Sequence, residues 1–123
     1  MSVSDNIKRG TIDILVLTLL GQGDMYGYQI SQELERQSRG LYTLLETSLY
    51  PTLYRLEDKG MIESRRELVG KRRVRIYYHL SEKGAAYLKD IRREYLSLNR
   101  GVLYILGITH LESMDKEVQG NEP

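Results

Sequence analysis

Cysteine is absent from the 123 residues, which excludes disulfide bridges, thiolate metal sites and cysteine nucleophiles. Such usage is in keeping with a reducing, cytoplasmic setting. Phenylalanine and tryptophan are absent too, so the ten tyrosines carry all the aromatic surface, each with a hydroxyl suited to interfaces. Histidine occurs twice, as His79 and His110, far apart and without metal-ligand spacing; no metal or cofactor is expected. The longest apolar run, Ile14 to Leu20, contains Thr18 and is far shorter than the ~20 residues a membrane span needs. The first residues lack a signal-peptide pattern, and no membrane partner is expected. There is no G-x-S-x-G, no phosphate-cradling glycine loop and no H-E-x-x-H, so the chain does not read as an enzyme.

Charge is nearly balanced overall, with a formal net charge of +1, but unevenly placed. Ser48 to Leu80 holds eight Lys/Arg against four Asp/Glu, a local excess of +4, which leaves the remainder near −3. That asymmetry predicts one basic face.

Apolar periodicity predicts mainly helix. The first helix is expected over Asn6 to Leu20, with Ile7, Ile14, Leu17 and Leu20 on one stripe, and residues 1–5 as a loose arm. Gly21, Gly23 and Asp24 end it. Tyr26 to Gln37 reads as a second helix, and Ser38 to Thr47 as a connection. A third helix is expected from Thr47 or Ser48, either able to cap it, with Pro51 in its first turn and Leu49, Leu53 and Leu56 buried. Gly60 stops it. Ile62 to Val69 and Arg73 to Leu80 alternate with period two around a Gly70-Lys71-Arg72 tip. On the second run Val74, Ile76, Tyr78 and Leu80 share one face.

Ser81 is placed to cap a last helix running from about Glu82 past His110. Along it Leu88, Ile91, Tyr95, Leu98, Val102 and Ile105 are spaced 3, 4, 3, 4, 3, a heptad seam that signals helix pairing. The partner is a second copy of this helix or the first helix of a second copy. A simple amphipathic face packed on its own domain is the alternative. Three regions follow: 1–80 as a DNA-binding domain, 81–112 as a dimerisation helix, and 113–123 as a polar, disordered tail.

Helix, helix, helix, wing and long helix describe a winged helix-turn-helix, mainly α with a two-stranded β-wing, and the stretch from Thr47 to Leu80 has the order of a recognition helix and wing. With three leucines buried, the exposed side of the recognition helix carries Ser48, Thr52 and Arg55 as candidate DNA contacts, with Tyr50 and Tyr54 flanking. Hydroxyls suit base edges or phosphates, and arginine pairs bidentately with guanine. Lys71, Arg72, Arg73 and Arg75 at the wing suit the DNA backbone or a narrow minor groove. Lys8 and Arg9 are further candidates for phosphate.

The segments R-G-T-I-D-I-L-V-L-T-L-L-G, Y-G-Y-Q-I, S-L-Y-P-T-L-Y-R-L-E-D-K-G-M-I and G-K-R-R-V-R-I-Y-Y-H-L-S-E-K-G together resemble the PadR-like transcriptional regulators, over about Arg9 to Gly84. Val74, within K-R-R-V-R, is a mild departure. The resemblance implies a homodimer that binds double-stranded operator DNA at an inverted repeat and represses transcription. It also implies Tyr50 as a backbone-phosphate contact, the alternative being packing against the wing or second helix. The single C-terminal helix resembles the family's short-armed branch. Some members sense small molecules near the dimer interface, which makes Tyr95 and Asn99 a candidate effector platform, with interface packing as the alternative. The competing function is a winged-helix protein-interaction module without specific DNA binding.

Overall fold

A computed structural model describes residues 3–120, which form six helices and three strands. In chain order these are α1 (Val3–Lys8), α2 (Ile12–Gln22), β1 (Met25–Tyr26), α3 (Gly27–Gln37), α4 (Glu46–Asp58), β2 (Ile62–Val69), β3 (Arg73–Leu80), α5 (Glu82–Leu106) and α6 (Leu111–Gly120). They divide into two compact units, residues 1–89 and 90–123. Of the expected N-terminal arm, residues 1 and 2 lie outside the described residues, as do 121–123 of the expected tail.

The first unit is a helical layer on a small antiparallel sheet. Val16, Leu17, Leu19 and Leu20 of α2 meet Ile30 and Leu34 of α3 and Leu49, Leu53 and Leu56 of α4, all 5% exposed or less. Met25, Ile62 and Tyr78 close this core from the sheet. Fully burying a leucine contributes roughly 1.5–3 kcal/mol, so these side chains dominate the unit's stability.

The first expected helix is two. Thr11 bonds back to the Lys8 carbonyl through both its N–H (2.8 Å) and its hydroxyl (2.9 Å), and the chain turns at Gly10. Ile7 therefore leaves the core stripe and is 72% exposed.

The wing matches its expected bounds. The strands pair in one continuous antiparallel register from Ile62↔Leu80 to Val69↔Arg73, and Gly70 adopts φ +71° at the tip. The sheet is three-stranded, however, in the order β1-β3-β2. Met25 and Tyr26 pair with Tyr78 and Tyr77, so the residue read as the start of the second helix is a strand residue. Only the base of the hairpin reaches the core: Tyr78 is 2% exposed, whereas Val74 and Ile76 on the same face lie open.

The junction from wing to α5 is tight. The Ser81 hydroxyl donates to the Gly60 carbonyl at 2.7 Å, with the Met61 carbonyl at 2.9 Å, and accepts from the Gly84 N–H at 3.0 Å. The expected cap is thus present, and it also ties α5 to the chain that leaves α4. α5 ends at Leu106, short of His110, where Gly107 takes φ +81°. Helix α6 then occupies 111–120, so the stretch from Ser113, expected as a disordered tail, is helical as far as Gly120.

Candidate nucleic-acid interface

Helix α4 begins earlier than the capping rule suggests. Its N-cap is Leu45, in extended backbone and without a side-chain cap, and Glu46 supplies negative charge in the first turn. Pro51 consequently sits inside the helix rather than in its first turn. Proline has no N–H, so the Thr47 carbonyl loses its helical partner. Both residues are exposed.

This frame decides which predicted contacts face outward. Ser48 is exposed. Thr52 is not: at 8% exposure it lies on the buried side with Leu49, Leu53 and Leu56, and its expected place on the groove-facing surface is corrected. The reason is helical geometry, since residue 52 is one turn from both 49 and 56. Arg55 is partly exposed, but its guanidinium is held by Asp13 of α2 in a two-bond pair of 2.6 and 2.9 Å. The carboxylate raises the arginine pKa.

Tyr50 is half-buried. Its hydroxyl donates to Glu46 Oε1 at 2.6 Å, and its ring stacks on the exposed Tyr54 with centroids 5.9 Å apart. The hydrogen bond to the carboxylate, helped by burial, pushes the phenol pKa up to about 12. Across from the ring, α3 starts with Gly27, where a β-carbon would stand 3.1 Å from the Tyr50 oxygen.

The wing tip is open and basic. Among the described residues no hydrogen bond or ion pair engages the side chains of Lys71, Arg72 or Arg73, and all three are exposed. Arg75 is different: its guanidinium lies over the Tyr26 ring at 4.4 Å, and Tyr26 meets Tyr77 edge-on at 5.5 Å. The short strand β1 thus sets the aromatic base of the wing, a feature with no two-residue signature in the sequence. Beneath it Asp24 accepts from Arg65 and pairs with His79 Nδ1 at 2.8 Å, and these partners lower its pKa. His79 and Arg65 are therefore parts of one polar cluster on β2 and β3. At the N-terminal end Lys8 donates to the Thr43 carbonyl and lies 5.4 Å from the Tyr42 ring centre.

The predicted seam of α5 grows more open toward its end. Leu88 and Ile91 are partly covered, whereas Tyr95 is 38%, Leu98 69%, Val102 52% and Ile105 89% exposed. Asn99 lines an open cleft of about 610 Å³ in the second unit with Leu96, Arg100, Leu103, Tyr104 and Met114, and Tyr95 is not among its walls. Among the described residues no cluster of His, Asp or Glu is arranged to hold a metal ion, and no helix is long and apolar enough to cross a membrane.

The profile of the "Transcriptional regulator PadR-like family" matches residues 16–90. A transcriptional regulator of Mycobacterium tuberculosis is 32% identical over 96 residues, covering 78% of this chain and 86% of that protein. A solved transcriptional regulator from Clostridium thermocellum superposes with a TM-score of 0.72 at 35% identity, over 80% of this chain and 95% of that one. Bacillus subtilis PadR, solved in complex with operator DNA, superposes with a TM-score of 0.61 at 26% identity, over 65% of this chain and 45% of that one. Matched in sequence from α2 through the start of α5, and in fold across helices and wing, the chain belongs to the PadR-like family of transcriptional regulators, proteins that bind DNA and are not enzymes.

Proposed function

We propose that this protein is a homodimeric repressor that binds an inverted-repeat operator in double-stranded DNA in the cytoplasm. The observation that carries the reading is the open basic tip, Lys71, Arg72 and Arg73, on the same compact unit as an exposed Ser48 in the first turn of α4. The solved complex of Bacillus subtilis PadR with operator DNA supports it. In this reading the N-terminal half of α4 enters the major groove with Ser48 and Tyr50 at its contact surface. The wing neutralises phosphates along the flanking backbone, with Arg75 set at its base by Tyr26. Arg55 reaches a base or a phosphate by exchanging Asp13 for DNA. Thr52 drops out of the contact set.

The dimer is formed by the seam Leu88, Ile91, Tyr95, Leu98, Val102 and Ile105 against a second copy. An exposed apolar row of this length on one helix supports that assignment, because water disfavours it. The cleft around Asn99 is the place for a small-molecule effector, and Tyr95 serves the seam alone. Footprinting on a duplex selected by the protein from a random pool tests the whole reading. Two protected half-sites related by two-fold symmetry are expected; one unrepeated site contradicts the dimeric mode, and no protection favours a protein-interaction module.

A further inference from the structure

We propose that Glu46 sets DNA specificity, by occupying the Tyr50 hydroxyl in the free protein in the way a DNA phosphate would in the complex. The inference rests on the DNA-binding reading above and adds a residue to it.

Glu46 is the first residue of α4 and Tyr50 lies one turn on, so the carboxylate and phenol share a helix face. The 2.6 Å bond between them is a short, charge-assisted one. Gly27 lies close against the hydroxyl end of the Tyr50 ring, and Tyr54 stacks on the ring. Its hydroxyl is therefore presented at one place. That place opens on a cleft of about 590 Å³ between the start of α4 and the wing, whose walls include Arg73 and Arg75. Among the residues lining the cleft, Glu46 is the one carboxylate.

A phosphate entering this cleft meets two arginines and the helix N-terminus, all of which attract it. It also meets Glu46, which repels it and already holds the hydroxyl. Any duplex that comes near bears the repulsion. Only a duplex seated well enough to take over the Tyr50 hydroxyl and the arginines recovers the loss. A like charge that only a well-seated duplex displaces is a route to discrimination, because the repulsion then stays with every duplex that does not displace it.

The test compares two probes, a duplex selected by the wild-type protein from a random-sequence pool and poly(dI-dC), in the full-length protein at low salt. Glu46→Gln keeps an acceptor for Tyr50 and removes the charge. It is expected to tighten binding to poly(dI-dC) about fivefold, the scale of one unit charge at contact distance in water, and binding to the selected duplex by less. The specificity ratio then falls. Ultraviolet titration is expected to bring the Tyr50 phenol down from about 12 in the same variant, which reads the contact directly. An unchanged ratio in folded Glu46→Gln overturns the proposal. A loss confined to the selected duplex also overturns it, because Glu46 then reads a base. If Glu46→Gln does not fold, Tyr50→Phe carries the test: it is expected to weaken the selected duplex more than poly(dI-dC), and an equal effect on both overturns the proposal. If the wild-type protein selects no duplex at all, the DNA-binding reading itself falls, an outcome distinct from an unchanged ratio.

Discussion

Asp13 and Arg55 are joined by two hydrogen bonds of 2.6 and 2.9 Å across 42 residues of chain, which ties the first turn of α2 to the last turn of α4. The pair orients the recognition helix on its support and at the same time holds an arginine that faces outward in part. Two consequences separate in experiment. Asp13→Ala and Arg55→Ala are each expected to destabilise the fold by about 0.5–1 kcal/mol, discounted because both side chains are partly solvated. A double-mutant cycle in urea should show the two effects coupled; additive effects would mean that the pair is not maintained in solution. On DNA, Asp13→Asn should raise affinity and steepen the salt dependence, because it releases a cation. Arg55→Ala should relax sequence preference, and a uniform loss across sequences would assign Arg55 to a phosphate instead.

Gly84 and Gly101 lie in the same helix and should respond in opposite directions to alanine. A β-carbon at Gly84 would stand 1.9 Å from the Met61 carbonyl oxygen, and the obstacle is backbone that cannot swing aside. Gly84→Ala is expected to cost about 2–3 kcal/mol or more. At Gly101 nothing lies within 4 Å, so alanine there should stabilise by up to about 1 kcal/mol through helix propensity. Shifts in the urea midpoint check both. Equal signs would contradict the close approach at the base of the wing.

The pH dependence of stability should carry the mark of Tyr50. Its pKa is raised to about 12 from a usual value of 10.0, so the folded state keeps this proton longer than the unfolded chain does. Its contribution is fully present below pH 10 and is lost as pH rises from 10 toward 12. Stability across that window should fall off more steeply in the wild-type protein than in Tyr50→Phe. Parallel curves would mean that the phenol is not held by Glu46.

The wing tip should act on DNA without regard to sequence. Replacing Lys71, Arg72 and Arg73 together with alanine is expected to weaken all duplexes similarly and to flatten the slope of log K against log salt by up to ~0.9 per lost phosphate contact. Folding should be unaffected, because these side chains make no internal ion pair among the described residues. An unchanged slope would remove the wing from the interface.

Much of the fold was legible because it rests on local periodicity. Alternation placed both wing strands and their tip, and Leu49, Leu53 and Leu56 marked the buried side of α4. The burial of Thr52 was readable too, since its position falls between those leucines on the helix, but its polar side chain suggested the outside. Strand β1 was hidden because two residues show no period; it exists only where β3 offers Met25 and Tyr26 an edge. The start of α4 was misplaced because Leu45 offers no capping group while Thr47 and Ser48 do. Asp13 with Arg55, and Gly84 with Met61, depend on chain crossings that spacing along the sequence does not encode. Glu46 with Tyr50 is an exception, as an i, i+4 pair that a search for acid-hydroxyl neighbours on one helix face would find.

The most direct measurement is equilibrium binding of the purified wild-type protein to a duplex it selects from a random pool, titrated with salt against poly(dI-dC) competitor. The account predicts a competitor-resistant complex whose affinity falls steeply and linearly in log K against log salt. A folded protein that selects no duplex, or one whose binding is indifferent to salt, would contradict the assignment of α4 and the wing as a DNA-reading surface.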